Sequence, residues 1–108
     1  MNIVTVTNQN FEEEVLASEV PVILDFWADW CMPCKMQSPI LEKFAEEMGD
    51  AVKIGKVNVD EEAALAIKYQ IMRSPTLVLM NKGSFVKKVI GLQQAEELKE
   101  FISDLSGE

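Results

Sequence analysis

The 108-residue chain has no histidine. That removes imidazole general bases, Cys–His and Ser–His nucleophile pairs, and histidine metal ligands. Any proton transfer near neutral pH falls to a cysteine, a perturbed carboxylate or a perturbed lysine. There is one arginine, Arg73, and ten basic residues face eighteen acidic ones, a net charge of −8. Nucleic acid and anionic membrane surfaces need a basic footprint, so neither is expected as a partner. No apolar run approaches the roughly 20 residues of a membrane span. The opening MNIVTVTNQNFEEE lacks a basic segment followed by an apolar one. No secretory leader is therefore expected, and a cytoplasmic location is. Only two cysteines are present. A structural zinc site needs four ligands, so no metal is expected, and no other cofactor is implied. The length suits a single domain, residues 1–108, with one modest core.

What is present is concentrated. The stretch Asp25 to Lys35, DFWADWCMPCK, holds both cysteines and both tryptophans. Around it the pattern alternates strand and helix. Residues 3–6 read as a strand, and Asn8 or Asn10 can cap a helix reaching about Ser18. Residues 22–27 form an almost unbroken apolar run after Pro21, which suits a central strand buried on both faces. Ile40, Leu41, Phe44, Ala45 and Met48 follow at helical spacing, with Pro39 expected to kink that helix and Gly49 to end it. Residues 52–59 read as a strand containing Gly55, and Asp60 caps a short helix over 61–69. Residues 76–80 and 85–90 are strands joined by the turn Asn81-Lys82-Gly83-Ser84. Ala95, Leu98, Phe101, Ile102 and Leu105 line one face of a last helix. The expected fold is α/β: one mixed sheet of about five strands flanked by four helices, parallel early and antiparallel in the closing hairpin.

On this framework Cys31 falls at the first turn of the long helix and Cys34 one turn on. Side chains at i and i+3 share a helix face with Cβ atoms roughly 5–6 Å apart. A disulfide prefers about 3.5–4.5 Å, so the bond is makeable with modest adjustment and also breakable. Free N–H groups and the helix dipole favour a thiolate at Cys31. Cys34 lies deeper and is expected to be the less exposed. One thiol attacking and one resolving is what thiol–disulfide exchange requires. A purely structural bond across so short a loop would constrain little of the unfolded chain. A metal shared between two chains would need a dimer.

Within the strand, Ile23, Asp25 and Trp27 share one face, so Asp25 is a carboxylate in an apolar strand. Desolvation raises its pKa. Lys56 lies in the strand expected beside it. The pair reads either as a satisfied buried ion pair or as a proton acceptor beneath the cysteines. Trp27 and Trp30 read either as core and rim aromatics or as parts of a site. Pro75 reads as a turn or strand-start proline.

These residues carry a resemblance. The chain is similar to the thioredoxin family over nearly its whole length. The resemblance rests on Asp25-Phe26-Trp27-Ala28-Asp29-Trp30-Cys31, Pro33-Cys34-Lys35-Met36, Pro39-Ile40-Leu41, Lys56-Val57-Asn58-Val59-Asp60, Ala66-Ile67-Lys68-Tyr69, Pro75-Thr76-Leu77 and Gly91. It implies the thioredoxin fold and reduction of protein disulfides by a redox-active Cys31–Cys34 pair. Asp25 and Lys56 would assist proton transfer, and Pro75 would be cis against the disulfide. Trp30, Met32, Pro33, Arg73, Ser74, Pro75 and Gly91 would border or pair with substrate. Implied partners are disulfide-containing client proteins and a thioredoxin reductase; a monomer is expected. The sequence also departs from the family's usual pattern. Met32 stands where the family usually has glycine, Gln70 and Arg73 stand for glycines, Met72 for arginine and Ser74 for isoleucine. These changes cluster on the expected active-site face. They keep open a role biased toward oxidation or isomerisation, or a partner-binding module whose chemistry is incidental.

Overall fold

The computed structural model describes residues 2–106. Five strands and four helices alternate: β1 (Ile3–Thr5), α1 (Glu12–Leu16), β2 (Val22–Trp27), α2 (Met32–Met48), β3 (Lys53–Asn58), α3 (Ala63–Lys68), β4 (Thr76–Asn81), β5 (Ser84–Ile90) and α4 (Ala95–Ser106). The sheet order is β1-β3-β2-β4-β5. β3 runs parallel to both β1 and β2. β4 is antiparallel to β2 and to β5. This is the mixed sheet expected from early βα alternation and a closing hairpin.

The apolar run of β2 is explained by its central place. Val22 to Phe26 are all buried because helices cover both faces of the sheet. Val22, Leu24 and Phe26 pack with Phe11 and Val15 of the α1 segment and Leu65 of α3. Ile23 points the other way, into Leu41, Phe44 and Ala45 of α2 and Leu98 and Phe101 of α4. Each such side chain removed from water stabilises the fold by roughly 1.5–3 kcal/mol. Gly55 in β3 is dictated by this packing. A Cβ there would lie 2.7 Å from Val6 Cγ2 and 3.0 Å from Leu24 Cδ2.

Local details depart from the sequence expectations. Neither Asn8 nor Asn10 caps α1. Asn10 instead closes the turn after β1, donating to the Thr5 carbonyl and accepting from the Thr7 N–H. α1 is a single wide turn, its Ala17 N–H reaching back five residues to the Glu12 carbonyl. Asp60 does not cap α3 either; Asn58 Oδ1 accepts the N–H groups of Asp60 and Glu61. Pro39 lies inside α2, which continues past it to Met48 as the apolar spacing implied.

Candidate functional site

The strand β2 ends at Trp27 and a tight turn follows, with the Cys31 N–H donating to the Ala28 carbonyl. Cys31 is then the N-cap of α2, with extended backbone, and its Sγ accepts the Cys34 N–H at 3.2 Å. This is the position usually held by a serine or aspartate oxygen, and it serves an anionic sulfur for the same reason. Pro33, at the second helical position, has no N–H to leave unsatisfied there. Cys31 and Cys34 are joined as a disulfide with Cα atoms 5.3 Å apart. The expected difference in their exposure is absent in this oxidised form, since both are buried, 3% and 2% exposed. What distinguishes them is the helix: one caps it and the other lies within its first turn.

Asp25, two residues before the end of β2, is wholly buried. In register beside it on β3 is Lys56, whose Nζ lies 3.3 Å from Asp25 Oδ2. The contact is chiefly an ion pair, with charge attraction to Lys56 outweighing a poorly aligned hydrogen bond. Burial pushes the Asp25 carboxyl above its ordinary 3.8, and the Lys56 ammonium pulls it part of the way back. A cleft of about 270 Å³ opens between Trp27, Cys34, Ser38 and Lys56. Cys34 and Lys56, the ion-pair partner of Asp25, therefore line one recess.

The opposite rim is built by two loops. The Ser74–Pro75 peptide is cis. Cys31 Sγ, which carries no proton in the disulfide, lies 3.3 Å from the Ser74 carbonyl oxygen. The Gly91 N–H donates to the Pro75 carbonyl at 2.8 Å, and Gly91 holds φ at +96°. Nothing lies within 4 Å of where a Gly91 side chain would start, so conformation rather than space requires glycine. Trp30 and Met32 are exposed beside the disulfide, as are Pro33 and Arg73. Trp30 is nonetheless pinned, its indole N–H donating to Asp60 Oδ2 at 3.1 Å. Gln70 carries the positive φ, +55°, that the glycine usual in the family would adopt without strain.

The sequence therefore pointed to Cys31, Cys34, Asp25, Lys56, Ser74, Pro75 and Gly91, and the fold brings them together. Arg73 adjoins this group through the chain but forms no ion pair among the described residues. Two polar side chains escaped the sequence reading. Gln37 is wholly buried and its side-chain amide clasps Gln93, donating to the Gln93 carbonyl at 3.0 Å and accepting its N–H at 2.7 Å. The clasp ties α2 to the Gly91 loop. Ser38 accepts a short hydrogen bond from Lys56 Nζ. Gln37 had left a signal: it occupies a core position in the stripe Cys34, Gln37, Leu41, Phe44.

Comparison with known proteins agrees with this geometry. A family model described as Thioredoxin matches residues 2–104. A thioredoxin of Bacillus subtilis is 45% identical, covering 95% of this chain and 97% of its own. One from Alicyclobacillus acidocaldarius is 43% identical over 94% of this chain and 95% of its own. One from Rickettsia bellii is 42% identical over 92% and 94%. With a redox-capable cysteine pair capping the helix after the central strand, the chain belongs to the thioredoxin family.

Proposed function

We propose that this chain is a protein-disulfide reductase working by dithiol–disulfide exchange, with Cys31 attacking and Cys34 resolving. The observation that carries the reading is the Cys31–Cys34 disulfide seated at the N-cap of α2. The Cys31 thiolate, held by the Cys34 N–H and the helix dipole, attacks one sulfur of a client disulfide. The client's S–S bond breaks, one client sulfur leaves as thiolate and takes a proton, and a mixed disulfide forms. Cys34 then loses its proton to the Asp25 carboxylate and attacks Cys31 Sγ. The second client sulfur leaves and is protonated, and the Cys31–Cys34 bond is restored. The client has gained two electrons and two protons. Lys56 stabilises the Asp25 carboxylate as the acceptor. The backbone of Ser74, beside cis Pro75, pairs with an extended client segment, and Trp30, Met32, Pro33, Arg73 and Gly91 border it.

Recycling calls for a reductase donor, in the family's pattern a thioredoxin reductase. A reducing compartment such as the cytoplasm fits this role, and a monomer leaves the face open to clients. No helix among the described residues is long and apolar enough to cross a membrane. The first test is equilibration in thiol/disulfide buffers of graded potential, together with a Cys34→Ser variant. A couple more reducing than the glutathione pool, and a trapped Cys31 mixed disulfide with a client, support the reading. A markedly more oxidising couple shifts it to an oxidase- or isomerase-like role, for which Met32 and Arg73 are the first suspects. No reversible couple leaves a binding module.

A further inference from the structure

The Lys56 ammonium has two places to go. On one side is the recess it shares with Cys34 and Ser38. On the other is a second cleft, about 240 Å³, lined by Glu61 and Glu62 as well as Lys56. Trp27 borders both, and the ammonium stands 5.7 Å from its ring centre. The Lys56 side chain keeps 24% of its surface in solvent, so packing alone does not fix its position. Its contact with Asp25, at 3.3 Å, is chiefly an ion pair and only poorly aligned as a hydrogen bond. The hydrogen bond it does make is to Ser38 Oγ on α2. The Ser38 hydroxyl in turn faces the Cys34 carbonyl, a long contact of 3.5 Å.

We propose that Ser38 is a positioning residue for the resolving step: its hydroxyl draws the Lys56 ammonium onto the Asp25 side and ties it to the helix turn that carries Cys34. This rests on the reductase reading above, and deepens it. The charged and titratable groups facing the pair are Cys34 and Lys35 from α2, Asp29 from the loop after β2, and Glu61 and Glu62 across the second cleft. β4 offers only Leu77 opposite Asp25. Lys56 is thus the one cation in register with Asp25; Glu61, and Glu62, which already accepts the Asn8 N–H, are the carboxylates across the second cleft toward which it would swing. Losing the Ser38 hydroxyl releases Lys56 toward the glutamates and leaves the buried carboxyl with its desolvation uncompensated. Asp25 then becomes a worse anion at neutral pH and a poorer acceptor for the Cys34 proton.

The test compares wild type, Ser38→Ala and Ser38→Thr, each also in a Lys56→Met background. Two readouts are taken against pH: the Asp25 carboxyl NMR signal in the reduced protein, and the single-turnover rate of insulin disulfide reduction. Ser38→Ala should move the Asp25 titration and the acid limb of the rate to higher pH, with a several-fold loss at pH 7. Ser38→Thr should restore both, because it returns the hydroxyl. With Lys56→Met the Ser38 substitution should have no further effect, as expected for two residues acting as one unit. An unmoved Asp25 titration in Ser38→Ala, or a shift of the same size without Lys56, overturns the inference. Failure of the wild type to reduce insulin overturns the reductase reading instead, and the Asp25 titration still judges Ser38.

Discussion

Asp25, on the strand that leads to the disulfide, has no exposed surface, while Trp30, Met32 and Met72 are 71%, 67% and 87% exposed. Below, the side chains are fixed by packing and by specific partners: Lys56 on Asp25, Ser38 on Lys56, and Gln37 on Gln93. Above, apart from the Trp30–Asp60 bond, the apolar side chains of Trp30, Met32 and Met72 stand in water. In a desolvated region each charge costs several kcal/mol unless compensated, so substitutions there act on both chemistry and stability. On an exposed rim a substitution rarely moves stability by more than about 0.5 kcal/mol, so the rim can vary with the client. The family's glycines at Met32 and Arg73 and its isoleucine at Ser74 are replaced on that cheaper side.

The largest break in this contrast should come from Asp25→Asn. General-base assistance is typically worth about 10²–10⁴-fold, so the resolving rate at pH 7 should fall by at least the lower figure. Rapid alkylation of the mixed disulfide would measure it. The same change should improve stability at neutral pH. Because burial raises the folded-state value, folded Asp25 holds its proton to higher pH than the unfolded chain does. Its contribution to stability is present below the ordinary value of 3.8 and is lost as pH rises through the raised one. Urea midpoints of the wild type should therefore fall relative to those of Asp25→Asn across that window. Parallel curves would show that Asp25 is not desolvated in solution.

A smaller effect is expected from Gln37→Leu. It keeps the apolar packing but strands the Gln93 N–H and carbonyl, and a buried unsatisfied group costs about 1–3 kcal/mol. A loss of about 2 kcal/mol in denaturant unfolding, with faster amide exchange at Gly91 to Gln93, would confirm the clasp. Unchanged stability would place Gln37 with the rim in its tolerance.

The smallest effect on stability should come from the rim itself. The combined Met32→Gly, Arg73→Gly and Ser74→Ile variant should stay within about 1.5 kcal/mol of the parent, since Met32 and Arg73 are exposed and Ser74 half-buried, and surface changes are each usually within about 0.5 kcal/mol. Its potential and its rates with different clients should change. An unaltered potential and unaltered client kinetics would show the substitutions to be neutral, and the contrast between the two sides would then concern stability alone.

Much of this was legible in the sequence, because the strongest signals are local. An apolar run after Pro21 is satisfied by burial on both faces, and the helical spacing of Ile40, Leu41, Phe44, Ala45 and Met48 after Cys-x-x-Cys puts the cysteines at a helix start. Alternation of strand and helix fixed the parallel half of the sheet and the hairpin its antiparallel half. Other features depend on which groups meet across long separations. Asn10 and Asp60 looked like helix caps, but Thr5, Thr7 and Trp30 claimed their side chains. Gln37 was visible as a polar gap in an apolar stripe, yet its partner lies 56 residues away. Ser38 gave no sign at all, since its hydrogen bond from Lys56 depends on where that ammonium comes to rest. The sequence by itself determined the sheet, the helix that carries the cysteines and the carboxylate behind them, through periodicity and desolvation. Only the tertiary structure decided which hydroxyl and which amide hold them, because a hydrogen bond is set by positions in space that no local pattern encodes.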